Sequence, residues 1–141
     1  MELLIGYEDG EHIRATFGAV DYRAGDWGTI VVQIDLVVHP FSGNFEGWWE
    51  LTTIPKFRSD LERAYKTLTE EFSFSPDLEE SLNLRFRGDG LGHFDVTGEA
   101  CPNLGWRSPR LQFELPGLID QTNLPRMIST LMELEAQYPS E

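Results

Sequence analysis

The sequence predicts an α+β fold, mainly antiparallel β-sheet (meander or sandwich-like) with one central crossing helix and one C-terminal helix. Three observations lead there. Apolar and polar residues alternate with a period of two in runs between His12 and Val38 and again between Leu82 and Leu115, the mark of half-buried strands. Several of these runs are joined by short turns rich in Asp-Gly and Gly-Asp pairs, which favours antiparallel neighbours. A helical period replaces the alternation twice, once near the middle and once at the end.

In chain order, Leu3 to Tyr7 is a short apolar run ended by the turn pair Asp9-Gly10. From His12 onward Ile13, Ala15, Phe17 and Ala19 share one face of a strand and His12, Arg14 and Thr16 the other. Arg23 to Gly28, with Gly25-Asp26 inside it, reads as a turn. The next strand is the most regular, with Ile30, Val32, Ile34, Leu36 and Val38 on one face. His39 to Gly47 reads as a turn-rich connection, since Pro40 has no N–H to donate and Gly43 and Gly47 loosen the backbone. A strand resumes from Trp48 to Leu51.

Phe57, Leu61, Ala64, Tyr65 and Leu68 then form one stripe of an amphipathic helix. Pro55 suits its first turn, while Ser59-Asp60-Leu61-Glu62 offers a capping box and a later start. The stripe includes Phe57 and favours the earlier one. Glu62 and Lys66 are spaced to pair across one turn. After Ser75-Pro76-Asp77 the alternation returns in Leu82, Leu84 and Phe86. Asp89-Gly90 marks a hairpin, followed by Phe94, Val96 and Gly98, then by a loop from Cys101 to Pro109 and a strand with Leu111, Phe113 and Leu115. Leu124, Ile128, Leu131, Met132 and Tyr138 form the closing helix, with Thr122 or Asn123 as N-cap and Pro125 in the first turn. The expected sheet core is Ile30, Val32, Ile34, Leu36, Leu84, Phe86, Phe94, Val96, Leu111 and Phe113. The sequence contains no internal repeat or low-complexity segment. Its 141 residues suit a single domain, 1–141.

Charge narrows the function. Eleven Lys and Arg against 24 Asp and Glu leave a net −13, which argues against nucleic acid and anionic membrane surfaces as direct partners. It favours a basic partner or solubility. The single cysteine, Cys101, cannot form an internal disulfide. No signal peptide and no apolar run of membrane-spanning length are visible, so a cytoplasmic location is expected.

Motifs for chemistry are sparse. Gly88-Asp89-Gly90-Leu91-Gly92 has the glycines of a phosphate loop, yet a strand follows where a dinucleotide site needs a helix. His12, His39 and His93 are far apart in sequence, and His93-x-Asp95 alone does not supply the three or four ligands of a metal site. No nucleophile elbow occurs, and Cys101-Pro102 sits in no recognised motif. No cofactor, metal or catalytic residue is expected.

The acids are unevenly spread. Residues 1–50 hold Glu2, Glu8, Asp9, Glu11, Asp21, Asp26, Asp35, Glu46 and Glu50 against Arg14 and Arg23 alone. Lys56, Arg58, Arg63 and Lys66 fall on the middle helix. Tyr7, Tyr22, Trp27, Trp48 and Trp49 are interleaved with the acids, a pattern of aromatic anchors and steering charge suited to protein binding. The candidate partner-binding residues are Asp9, Glu11, Asp21, Asp26, Trp27, Glu46, Trp48 and Glu50. Whether Trp48 and Trp49 are core or surface stays open at this level.

From residue 28 onward a longer pattern emerges. It runs Phe45-Glu46-Gly47-x-x-Glu50-Leu51, the helix with Phe57, Leu61 and Leu68, then Leu82, Leu84 and Phe86. Gly92, Phe94 and Val96 follow, then Leu111-Gln112-Phe113-Glu114-Leu115 and the closing Asp120-Gln121-Thr122-Asn123-Leu124. This resembles the WapI-type immunity proteins, small cytoplasmic proteins that neutralise toxin domains of polymorphic bacterial toxins. The resemblance implies antiparallel strands with an intervening helix and a stoichiometric inhibitor rather than an enzyme. Its partner would be a cognate toxin domain, and the acidity suits a basic, nuclease-type one. Asp120-Gln121-Thr122 is expected to hold the start of the last helix. A small-ligand or carbohydrate-binding β domain stacking on Trp27, Trp48 and Trp49 is the alternative, and a hydrolase with a carboxylate pair a third.

Overall fold

A computed structural model describes residues 1–22 and 28–139. The order is four strands and a helix, twice over. The first set is β1 (Glu2–Gly6), β2 (His12–Asp21), β3 (Thr29–Val38), β4 (Phe41–Glu50) and α1 (Thr53–Thr67). The second is β5 (Glu71–Phe74), β6 (Leu82–Gly88), β7 (His93–Ala100), β8 (Leu111–Asp120) and α2 (Asn123–Gln137). Each set of strands makes one antiparallel meander in sequence order. The architecture thus repeats although the sequence does not. The turn expected over Arg23 to Gly28 falls on residues 23–27, outside the described residues.

The period-two runs become these strands because alternation gives each sheet one apolar face. Ile30, Val32, Ile34, Leu36, Leu84, Phe86, Phe94, Val96 and Phe113 are all buried as expected. Leu111 is not: it is 39% exposed, because it opens β8 opposite Ala100 at the end of the sheet. Ala19 is also exposed, since a register shift between Phe17 and Val20 turns β2 out of phase.

Two segments differ from the expectation. The connection read over His39 to Gly47 is mostly strand; the turn is His39-Pro40 alone, and β4 pairs with β3 from Val38↔Phe41 to Thr29↔Glu50. Of its two glycines only Gly47 is buried, and a Cβ there would meet the Ser81 hydroxyl at 3.3 Å, so the small residue lets the two halves approach at that point. Strand β5 was not expected at all, although Phe72 and Phe74 alternate with Glu71 and Ser73.

The two halves share one apolar cluster drawn from both sheets and both helices. At its centre Trp49 stands edge-on to Phe17 and Phe74, while Phe57 of α1 stacks on Phe74 at 3.9 Å between centroids. The helices pack against each other, and α2 returns to lie on β1 and β8. Helix α1 starts early, as Phe57 requires, and the Ser59-Asp60 capping box is unused: Asp60 is a buried mid-helix residue paired with Lys56 and Arg63. Glu62 pairs with Arg58 rather than Lys66. The buried stripe of α2 is Leu124, Met127, Leu131 and Leu134, with Met132 54% exposed, so the helix is rotated from the expected face.

Candidate interaction surface

The candidate residues are best placed strand by strand. In β4 Ser42, Asn44, Glu46, Trp48 and Glu50 alternate with the inward Gly47 and Trp49 and therefore lie on the outer face. Their cross-strand partners Val37, Asp35, Gln33, Val31 and Thr29 continue that face on β3. Trp49 is fully buried and Trp48 is 43% exposed, so the adjacent tryptophans have opposite roles. A ring buried in the core offers no stacking surface, which removes Trp49 from the carbohydrate-binding reading.

The structure brings Glu46, Trp48 and Glu50 together on one strand face. Glu46 accepts a hydrogen bond from Gln33 Nε2 at 3.0 Å, which holds its carboxylate across the sheet. Asp21 joins them at one end through the row Asp21↔Thr29↔Glu50. Asp9 and Glu11 sit at the opposite end, in the β1–β2 turn. There Glu11 accepts the backbone N–H of His39 at 3.1 Å and braces the β3–β4 turn. The two acidic groups are roughly 25 Å apart along the strands, at ~3.3 Å per residue. Asp26 and Trp27 lie outside the described residues.

The cations of α1 do not oppose this field freely. Arg58 binds Glu135 of α2 and Glu62, and its guanidinium pKa is raised chiefly by the Glu135 hydrogen bond, although burial opposes it. Arg63 and Lys56 hold Asp60. Three of the four α1 cations are thus tied to carboxylates of α1 and α2, while the outer face of the first sheet carries Asp35, Glu46 and Glu50.

Sequence reasoning missed Trp106, which is 78% exposed in the loop after β7, with the Arg107 guanidinium 5.3 Å from its ring centroid. Its signal was present: a tryptophan between Gly105 and Arg107, in a Pro- and Asn-rich loop with no alternating neighbours, has no core to enter. Leu104 beside it is 49% exposed.

The Gly-rich segment Gly88 to Gly92 is a hairpin tip. Gly90 and Gly92 take positive φ of 81° and 106°, and the Asp89 carboxylate accepts the amides of Leu91 and His93 at 2.7 and 3.1 Å. Those amides hold the Asp89 pKa below its ordinary value. Among the described residues no three His, Cys, Asp or Glu side chains gather around one possible ion. Among the described residues no helix is long and apolar enough to cross a membrane.

Asp120 to Asn123 form a structural joint. Asp120 accepts the Tyr7 hydroxyl at 2.8 Å, the Thr122 amide at 2.9 Å and the Thr122 hydroxyl. The buried Asn123 accepts the Asp120 amide at 2.8 Å and donates to the Gly6 carbonyl at 3.3 Å, while Gln121 N–H donates to Gly92 O. Thr122 occupies the N-cap position without a side-chain capping bond. The motif holds the helix start as expected, but by tying it to β1 and the β6–β7 hairpin rather than by capping.

No curated protein matches the chain. A solved structure of the plant transcriptional regulator PBF-2 superposes with a TM-score of 0.52 over 98% of this chain and 89% of that one, at 13% identity; this likeness concerns the fold alone. The model of the immunity protein WapI-like family matches residues 4–139. That match spans both sheets, both helices, the acidic outer face and the Asp120–Asn123 joint, and the chain belongs to the WapI-like immunity protein family.

Proposed function

We propose that the chain is a cytoplasmic immunity protein that binds a cognate basic, nuclease-type toxin domain one to one and blocks it. Membership of an immunity family implies a toxin protein as partner and a binding protein rather than an enzyme. The observation that carries the finer reading is the sign of the exposed face. The outer side of the first sheet presents Glu46 and Glu50 on either side of Trp48, with Asp35 further along opposite Asn44, and the chain as a whole carries −13. Nuclease domains bind phosphate through cationic clefts, and a rigid row of carboxylates can occupy such a cleft in place of phosphate. Speed matters for an inhibitor of a lethal enzyme, and opposite charge raises the association rate.

Co-expression with the toxin domain encoded upstream tests the reading. Growth should be restored, and the two chains should co-purify as a one-to-one complex whose nuclease activity is lost. Continued killing without co-purification would sink the immunity reading. Protection from a toxin with no activity on DNA or RNA would remove only its nuclease part.

A further inference from the structure

Strand β4 is the outermost strand of the first sheet, and no strand pairs with its free side. The Glu50 amide at its end points away from β3 and donates to the Pro76 carbonyl at 2.8 Å. Backbone groups alternate sides along an antiparallel strand, so the amides and carbonyls of Ser42, Asn44, Glu46 and Trp48 point the same way. Among the described residues none of them meets a hydrogen-bond partner. Two of the other edges are differently placed: β1 and β8 lie beside each other and α2.

An open edge is a template for another strand, and proteins guard it with lysine, proline or a bulge. Here β4 has no lysine or proline, and its ten pairs with β3 run without a register shift. It carries acids instead. A second copy laid antiparallel along this edge and centred near Glu46 or Trp48 would bring glutamate opposite glutamate, whereas a basic strand would meet opposite charge. The inward side is prepared as well. A cleft of about 200 Å³ lies between β4 and the start of β8, lined by Leu36, Phe45, Pro102, Pro109 and Leu111. A Cβ placed at Gly43 would meet nothing within 4 Å.

We infer that an extended basic segment of the toxin adds to the first sheet as a fifth strand along Ser42 to Trp48. Its alternate side chains divide between two environments: cationic ones lie over Glu46 and Trp48 on the outer face, and an apolar one enters the cleft beside Gly43. The inference rests on the immunity reading above and names the part of the partner that is bound.

Residue-resolved amide exchange on the chain alone and in the co-purified toxin complex tests it. In the free chain the amides of Ser42, Asn44, Glu46 and Trp48 should exchange fast, and those of Gly43, Phe45 and Gly47 slowly, because the latter face β3. In the complex the first four should slow by at least about tenfold, as expected for new backbone hydrogen bonds. Asn44→Pro removes one edge donor without touching the β3 ladder and should weaken binding by about tenfold or more. Gly43→Phe, which fills open space in the cleft, should weaken binding at unchanged thermal stability. A tight complex in which the four amides still exchange fast overturns the added strand and leaves the immunity function standing. Protection that appears in the free chain as its concentration rises assigns the edge to a second copy and overturns the proposal. Absence of any complex overturns both readings.

Discussion

Asp120 shows how a short polar motif can hold two distant segments together. Burial alone would push its carboxyl pKa up, but hydrogen bonds from Thr122, from Tyr7 and from backbone amides outweigh burial and leave it below the ordinary aspartate value. The stability this gives is therefore complete above that ordinary value and is lost as pH falls through the lower, folded one. Asp120→Ala should cost about 1–3 kcal/mol at neutral pH, since it removes several bonds to a charged acceptor. The gap in thermal midpoint between wild type and variant should close in acid, below the ordinary aspartate pKa. A gap that persists unchanged there would mean the carboxylate charge is irrelevant. Toxin affinity, measured on the folded fraction, should not change. An affinity loss at normal stability would move the motif to the interface. The polar run before an apolar stripe made the anchoring role legible in the sequence. Its partners were not, because Tyr7 and Gly6 lie more than a hundred residues away and local spacing carries no such information.

At the scale of elements, period decided what could be read. The strand Thr29–Val38 was legible because one face is wholly apolar and is buried from Ile30 to Leu36. Strand β4 was obscured because two of its inward-phase positions are Gly43 and Gly47, which carry no hydrophobic signal, and Gly43 and Phe41 are exposed. The four residues of β5 were too short a run to assert a period against the preceding helix. The stripe of α2 was displaced because Met132 and Ile128 share hydropathy with Met127 and Leu134, and only the packing on β1 and β8 selects between them. Three substitutions measure these faces. Ile34→Ala, at a fully buried site, should destabilise by ~2–5 kcal/mol, and a loss below about half a kcal/mol would mean that the sheet faces are reversed. The neighbouring tryptophans should separate cleanly. Trp49→Ala should cost ~3–5 kcal/mol of stability. Trp48→Ala should leave the thermal midpoint nearly unchanged and weaken toxin binding by about 2 kcal/mol or more, as an interface anchor does. Equal stability losses at both positions would contradict the outward placement of Trp48.

For the molecule as a whole, the shared apolar cluster and the joint between β1, the β6–β7 hairpin and α2 lead us to expect one cooperative unit. Chemical denaturation should then show a single transition with coincident fluorescence and circular dichroism curves; two separated transitions would split the chain into its repeated halves. The charge distribution carries the last expectation. The candidate acids stand as two groups on the first sheet, Glu46, Glu50 and Asp21 toward one end and Asp9 and Glu11 at the other. The nearby cations of α1 are mostly held by their own carboxylates. A field of this kind acts on a basic partner at a distance, so it should raise the rate of encounter more than it slows departure. Its reach is set by salt, falling from about 30 Å at 0.01 M to about 8 Å at 0.15 M. Stopped-flow association with the cognate toxin should therefore slow markedly across that range while dissociation changes little. Charge reversal at Glu46 and Glu50 should flatten the salt dependence as well as slow association, whereas reversal at Asp9 should do less, because that turn lies at the far end from Trp48. An association rate indifferent to salt would rule out steering and leave apolar docking through Trp48 as the better account. Full affinity after reversal of both glutamates would place the interface away from the outer face of β4.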